Sequence, residues 1–264
     1  MNPPTGELGS CPAAPRALCS EAMAGLKTTI ERNLARIRSD ITAACERRGR
    51  SPKDVSVIAV TKSVDVDAIK LLVDMGVTDI GESRVPQLVE RRRQIEQWLG
   101  GEKSRVGLRW HLIGHLQRNK VKLALEAADV IHSIDSLRLA EEINQCCGKA
   151  GRTVDVLMQV NCSNEPQKFG VAVGAAVHLA ELVSTFAALR LVGLMTMAPL
   201  VKDAQDARPS FVRLKELFDE MRSEKISAGR LAHLSMGMSG DYTVAVEEGA
   251  TMVRIGSSLF EEAV

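Results

Sequence analysis

Aromatic side chains are scarce in this sequence: phenylalanine, tryptophan and tyrosine make up 3% of 264 residues, and tyrosine occurs once. The core must therefore be built from aliphatic side chains and methionine. An excess of one charge is also lacking, because 34 lysines and arginines stand against 33 acidic residues. This balance gives no global electrostatic reason to expect a nucleic-acid or membrane partner. The basic run Glu90–Arg93 lies in a mixed-charge helical segment and is read as a solvated helix face.

Long apolar runs and paired cysteines are absent as well. No stretch approaches the ~20 apolar residues that cross a bilayer. The six cysteines form neither a CxxC pair nor a zinc-ligand spacing, and the five histidines share no ligand spacing. We therefore expect free thiols in a reducing compartment and no bound metal. The expected location is cytoplasmic, with a mitochondrial location as the alternative.

The chain is predicted to be one domain behind a short leader. Residues 1–20 contain Pro, Gly, Ser and Ala without a period and are read as a disordered leader. Apolar residues at three- and four-residue steps then predict a helix over 21–48. The rest of residues 21–264 alternates between strand-like and helical stretches. The strand-like stretches are 55–60, 77–82, 108–114, 130–135, 154–161, 189–197, 231–237 and 251–257.

This alternation predicts a single α/β domain. Strands that alternate with helices pair in parallel, with a right-handed crossover each time. Eight such units fit a closed (β/α)8 barrel of the TIM type with an extra N-terminal helix. An open doubly wound sheet is the alternative. In such barrels the catalytic and binding residues lie at the C-terminal ends of the strands, here called the strand exits, so functional residues are expected there.

The first strand exit ends in a lysine, Lys62. An amine held among apolar neighbours has a lowered pKa and can act as a nucleophile near neutral pH. The alternative is a lysine whose stem lies on the protein while its amine reaches solvent. On this position alone, the second interpretation is the more common one.

The last two strand exits have the composition of an anion-binding cradle. In SMGMSGD (235–241), Ser239 and the backbone N–H groups could bind a phosphate. In VRIGSS (253–258), Gly256 allows close approach of an anion and Ser257 opens a helix. Flexible turns are the alternative for each loop alone. Loops after the last two strands of a barrel frequently form a phosphate site, and the last strand lies beside the first.

A lysine amine and a phosphate cradle on one cavity are what pyridoxal 5′-phosphate (PLP) requires. The cofactor also needs a partner for its pyridine nitrogen, and Arg254 is the available group. An arginine leaves that nitrogen unprotonated and weakens the electron sink. His111 could titrate near neutrality, although a buried structural histidine is the favoured interpretation of that residue.

The same stretches resemble the pyridoxal phosphate homeostasis protein family. They occur in the expected order from about residue 50 to 260, and together they are specific. The stretches are AVTK (59–62), GES (81–83), WHLIGHLQRNK (110–120), IHSIDS (131–136), VLMQVN (156–161), KFG (168–170), LVGLMTM (191–197), LSMGMSGD (234–241) and GATMVRIGSSLF (249–260).

The resemblance implies a barrel like the N-terminal domain of bacterial alanine racemase, with an internal aldimine on Lys62 and Arg254 facing the pyridine nitrogen. Ser83 stands where the family usually has Asn. The other cofactor-binding residues that it implies are Met238, Ser239, Gly256 and Ser257 around the phosphate, and Ser83, His111 and Asn161 along the pocket.

The resemblance also implies a carrier without catalytic turnover. Such a protein binds PLP, hands it on to acceptors such as PLP-dependent apoenzymes, and balances vitamin B6 and amino-acid pools. A monomer is expected. A PLP-dependent amino-acid racemase is the alternative, but it needs a second base, and the single tyrosine, Tyr242, is read as helix packing or surface. A lysine-dependent aldolase with Glu82 as its acid/base is a third hypothesis.

Overall fold

The computed structural model describes residues 16–100, 107–163, 165 and 167–261, with backbone alone for 16–22. A long helix, α1 (Arg16–Glu46), opens the described part. It starts five residues before the predicted boundary at residue 21, so residues 16–20 are helical. The rest of the predicted leader lies outside the described residues.

Eight strand–helix units follow α1, and the predicted alternation is confirmed. The strands are β1 (Ser56–Val60), β2 (Asp79–Glu82), β3 (Arg109–Leu112), β4 (Val130–Ile134), β5 (Val154–Asn161), β6 (Val171–Ala172), β7 (Leu189–Met195), β8 (His233–Ser235) and β9 (Met252–Ile255). The helices are α2 (Val66–Asp74), α3 (Val85–Trp98), α4 (Val121–Leu125), α5 (Leu137–Lys149), α6 (Val173–Ser184), α7 (Arg208–Ser223), α8 (Tyr242–Glu247) and α9 (Ser257–Phe260).

The sheet closes on itself. Every pairing is parallel; β1 lies between β2 and β9, and β4 pairs with both β3 and β5. The barrel order is therefore β1-β2-β3-β4-β5-β7-β8-β9, and β6 is a two-residue addition beside the end of β5. The closed parallel barrel confirms the predicted fold class and excludes the open sheet.

The barrel interior changes character along the strands. Five apolar side chains from five strands form one cluster: Ile58, Val130, Leu157, Met195 and Met252. Successive residues of a strand point to opposite faces, so residues two apart share a face. In three of these strands the residue two positions later is polar. His132 follows Val130, Gln159 follows Leu157 and Arg254 follows Met252. The apolar layer thus supports a polar layer nearer the strand exits.

Helix α1 fastens the last two units of the barrel. The Asn33 amide donates hydrogen bonds to the carbonyls of Leu259 (3.1 Å) and Glu261 (2.8 Å). The Tyr242 hydroxyl donates to Asp40 at 2.6 Å. These contacts hold α8 and α9, whose N-terminal loops carry the predicted phosphate cradle.

The structure also bears on two expectations drawn from the composition. The cysteines whose side chains are described, Cys45, Cys146, Cys147 and Cys162, are free thiols, as expected. Among the described helices, none has the length and apolar character needed to cross a membrane.

Candidate functional site

A cavity of about 750 Å³ opens at the C-terminal ends of the strands. Residues from the exits of β1, β2, β3, β8 and β9 share this lining, together with residues of β5 and the segment after β7. Seven of the predicted cofactor-binding residues line the cavity: Lys62, Ser83, Met238, Ser239, Arg254, Gly256 and Ser257.

Lys62 lies in the turn between β1 and α2. Its neighbour Thr61 is fully buried, whereas Lys62 is solvent-exposed at the cavity. Lys62 is therefore not buried, although the cavity that it lines is mostly apolar, with Val60, Val64 and Ile113 among its residues. Its exposure agrees with the alternative prediction, and Lys62 lines the same cavity as the other predicted residues.

A buried ion pair holds the Lys62 turn from behind. Arg91 of α3 forms an ion pair with Glu82, which is fully buried at the end of β2. The same guanidinium donates hydrogen bonds to the carbonyls of Thr61 and, at 2.6 Å, of Val64. Arg91 thus clamps the backbone on both sides of Lys62. The interpretation of Glu90–Arg93 as a solvated face is corrected at Arg91, because a buried carboxylate requires a charge partner.

The predicted cradle brings two loops together at Ser239. The backbone N–H groups of Gly256 and Ser258 both donate to the Ser239 hydroxyl oxygen, each at 3.3 Å. The Ser258 hydroxyl donates to the Ser239 carbonyl at 3.3 Å. Backbone N–H groups and hydroxyls, the kinds of donor that bind phosphate oxygens, therefore lie together beside the cavity, and in this structure they bond to Ser239.

The loop between β8 and α8 depends on Gly237 and Asp241. Gly237 has a φ of +90°, and an added Cβ would lie 2.6 Å from the Ala245 side chain. The Asp241 carboxylate accepts a hydrogen bond from the Met238 N–H at 2.6 Å. Burial raises the pKa of Asp241, while this hydrogen bond opposes the shift. The turn places Met238 and Ser239 on the cavity.

Arg254 reaches the cavity from inside the barrel. Its side chain is buried, and its Nη1 and Nη2 donate to the Ser235 hydroxyl (2.7 Å) and the Thr196 carbonyl (2.8 Å). Burial lowers the pKa of Arg254 to about 10, and the charge of Asp241 opposes the shift. The guanidinium still carries its charge at neutral pH.

Ser83 lies where the exits of β2 and β3 touch. A Cβ at Gly114 would lie 2.1 Å from the Ser83 carbonyl oxygen, so only glycine allows this approach. The contact brings His115, next in sequence, to the cavity wall. Its imidazole stacks on Phe169, with ring centroids 4.0 Å apart, and its Nδ1 lies 3.3 Å from the Asp135 carboxylate.

Two predicted pocket residues lie elsewhere. His111 is fully buried below the cavity, between His132 and Asp79, because its position on β3 points into the barrel. Asn161 holds its own loop, donating to the carbonyls of Glu165 (2.9 Å) and Lys168 (3.4 Å). Neither side chain is among the residues that line the cavity.

Sequence reasoning passed over several cavity residues. Gln159 is a polar side chain in the apolar strand β5, and its position two residues after Leu157 was the available signal. His115 stood inside a quoted motif but was not singled out. Phe169 and Met197 also stood inside quoted stretches, while Leu200 lies in an irregular segment without a periodic signal.

The groups needed by the two alternative enzymes lie outside the cavity lining. Tyr242 is buried and donates to Asp40 of α1, as its interpretation as helix packing implies. Glu82 is bound by Arg91 and accepts a hydrogen bond from the Thr61 hydroxyl. No group of three His, Cys, Asp or Glu side chains in the described ranges could hold a metal ion.

The sequence matches the family model for the alanine racemase N-terminal domain over residues 32–263. The pyridoxal phosphate homeostasis protein of Aquifex aeolicus (strain VF5) is 38% identical over 229 residues, which cover 87% of this chain and 96% of that protein. The chain belongs to the pyridoxal phosphate homeostasis protein family. The predicted resemblance is thereby confirmed.

Solved structures agree with this family. PipY of Synechococcus elongatus PCC7942, solved with PLP bound, is 32% identical with a TM-score of 0.75, and the match covers 88% of this chain and 100% of PipY. An alanine racemase of Clostridium difficile 630 is 15% identical with a TM-score of 0.69, which shows a shared fold alone. That match covers 89% of this chain but 57% of the racemase.

Proposed function

We propose that this protein binds PLP reversibly in the cavity at the strand exits and serves to balance intracellular PLP and amino-acid pools. One observation carries the proposal. Lys62, Arg254 and the Ser239–Gly256 cradle, drawn from the first and the last two strand exits, line a single cavity. The family relationship and the PLP bound to PipY support it.

The residues present fit the chemical groups of PLP. The Ser239 hydroxyl and the N–H groups of Gly256 and Ser258 lie together, and the two N–H groups, which donate to the Ser239 oxygen in this structure, would donate to the phosphate instead. Lys62 would supply the primary amine that the aldehyde of PLP requires. Arg254 supplies an N–H donor for the pyridine nitrogen. When bound, the cofactor provides an electrophilic aldehyde and an electron-withdrawing ring.

The geometry favours storage over turnover. Arginine always donates, so Arg254 leaves the pyridine nitrogen unprotonated and limits carbanion chemistry. Racemisation also needs a second base opposite the lysine, and the buried Tyr242 bonds Asp40 instead. An exposed Lys62 leaves the aldehyde open to exchange with an incoming amine. We therefore propose release to acceptors, including PLP-dependent apoenzymes, by a monomeric protein.

The test is an absorbance spectrum of the purified protein after PLP addition and gel filtration. We expect a visible band that borohydride abolishes, with the pyridoxyl group on Lys62 by peptide mass spectrometry. Lys62→Ala should lose the retained band. Lys70→Ala is the matched control, because Lys70 lies on α2 and pairs with Asp67.

A second assay separates a carrier from an enzyme. PLP-loaded protein is incubated with L-alanine, and D-alanine is measured by chiral chromatography. A carrier gives no D-alanine above free PLP, while PLP moves to an added apoenzyme. Sustained formation of D-alanine would contradict the carrier function and support a racemase. A wild-type spectrum without a visible band would contradict PLP binding itself.

A further inference from the structure

A line of hydrogen bonds runs through the barrel interior below Arg254. Arg254 Nη1 lies 2.7 Å from Ser235 Oγ, which lies 3.0 Å from His132 Nδ1. His132 Nε2 lies 2.9 Å from His111 Nδ1, and His111 Nε2 lies 2.8 Å from Asp79 Oδ1. The five side chains come from β9, β8, β4, β3 and β2, so the line crosses the barrel.

The whole line is shielded from solvent. Ser235, His132 and His111 have no exposed surface, and Arg254 and Asp79 are 4% and 6% exposed. Buried polar groups must find their hydrogen-bond partners within the protein. Burial acts to raise the pKa of Asp79, but the hydrogen bond from His111, together with the charge of Arg109 and the Thr78 hydroxyl, outweighs it and the pKa is lowered. Burial lowers the pKa of His132 well below its ordinary value.

With both imidazoles neutral, the two ends fix the direction of every bond. A guanidinium only donates, and an ionised carboxylate only accepts. Ser235 Oγ therefore accepts from Arg254 and gives its own proton to His132 Nδ1. His132 then carries its proton on Nε2 and donates to His111 Nδ1. His111 in turn carries a proton on Nε2 and donates to Asp79.

The opposite direction leaves a group unsatisfied. If His132 carried its proton on Nδ1, the Ser235 oxygen would receive donors from both His132 and Arg254. The hydroxyl proton of Ser235 would then lose the partner that the one-way arrangement gives it, in a fully buried position. Losing such a partner carries the full desolvation cost of the group.

We propose that Asp79, His111, His132 and Ser235 are positioning residues that orient Arg254 through a one-way hydrogen-bond chain across the barrel. The inference rests on the proposed function, in which Arg254 meets the pyridine nitrogen of PLP. The Ser235 hydroxyl and the Thr196 carbonyl hold two of its nitrogens, so the guanidinium plane is fixed. The N–H groups that remain are then available to the cavity.

The first experiment determines which ring nitrogen of His111 and of His132 carries the proton in the protein without PLP. Nitrogen-15 NMR at neutral pH correlates each imidazole nitrogen with its carbon-bound protons. Signals of the other three histidines are assigned with His115→Gln, His178→Gln and His233→Gln, which leave the chain intact. We expect Nε2–H and a bare Nδ1 at both remaining histidines. A proton on Nδ1 of either one overturns the one-way chain.

The second experiment tests the effect on Arg254. Ser235→Ala removes the acceptor, and we expect about tenfold weaker PLP binding and a shifted visible band, since a hydrogen bond to a charged group is lost. Ser235→Thr keeps the hydroxyl and should restore both. Ser133→Ala is the matched control, because that buried hydroxyl has no partner among the described residues.

The outcomes separate the two proposals. If Ser235→Ala folds and keeps the wild-type affinity and spectrum, the positioning role is overturned. If the wild-type protein retains no PLP, the proposed function fails, while the NMR result still decides the chain. A Ser133→Ala variant as weak as Ser235→Ala would assign the loss to general damage of the barrel and overturn the role of Ser235.

Discussion

Arg91 of α3 and Glu82 of β2 form an ion pair directly behind the turn that carries Lys62. The Glu82 side chain has no exposed surface, and that of Arg91 is 12% exposed. Since Arg91 also binds the carbonyls of Thr61 and Val64, the position of the Lys62 turn depends on a buried charge pair.

Arg91→Ala should destabilise the fold strongly. It leaves Glu82 as an uncompensated buried charge, and we expect the free energy of unfolding to fall by about 3–5 kcal/mol. Urea denaturation followed by circular dichroism measures the change. Arg93→Ala is the control, because Arg93 is exposed on the same helix and pairs with Glu90. Equal urea midpoints for both variants would show that the buried pair does not hold this turn.

Ser239→Ala should weaken the binding of the cofactor phosphate selectively. Its hydroxyl oxygen is the point on which the Gly256 and Ser258 N–H groups converge. We expect about five- to tenfold weaker binding of PLP, the effect of losing one hydrogen bond to a charged group. Pyridoxal, which lacks the phosphate, is the matched ligand and should bind unchanged. An equal loss for both ligands in fluorescence titrations would place the phosphate elsewhere.

Arg254→Glu should increase the reactivity of bound PLP with amino acids, which the arginine is proposed to limit. A carboxylic acid beside the pyridine nitrogen favours its protonated form and strengthens the electron sink. We expect the PLP-loaded variant to convert amino acids to oxo acids faster than wild type, measured by coupled assay. Arg254→Gln removes the charge without adding an acid and serves as the control. Unchanged reactivity in a variant with native circular dichroism would contradict this account of restraint.

Tyr242 should make stability depend on alkaline pH. Burial first, and then the hydrogen bond to Asp40, raise the pKa of Tyr242 above its ordinary value. A raised folded-state pKa contributes stability that is complete below the unfolded pKa of about 10 and is lost as pH rises further. Tyr242→Phe should cost about 1 kcal/mol at neutral pH.

Comparing wild type with Tyr242→Phe isolates the contribution of the Tyr242 hydroxyl to stability. Urea unfolding of wild type and Tyr242→Phe across pH 7 to about 11 cancels the other alkaline effects. We expect the difference in unfolding free energy to shrink above the ordinary pKa of tyrosine. A constant difference would mean that the hydroxyl titrates alike in both states.

Much of the fold was readable from pattern. The apolar run Val55–Val60 and its successors marked all eight barrel strands, and the count of units favoured a closed barrel over an open sheet. The two-residue strand β6 was missed, because Val171–Ala172 is too short to show a period. The start of α1 was placed late, since residues 16–20 add little apolar periodicity to the helix.

The sequence by itself determined which strand exits form the site. Parallel βα units place the exits of β1, β8 and β9 on one face, so Lys62, Ser239 and Arg254 had to be neighbours once the barrel closed. Only the tertiary structure decided which side chains enter the cavity. The His111 side chain lies inside the barrel, whereas His115 lines the cavity. Arg91, on a helix predicted to be solvated, forms an ion pair with the buried Glu82. These outcomes depend on inter-strand register and on contacts between residues distant in sequence, which no local pattern encodes.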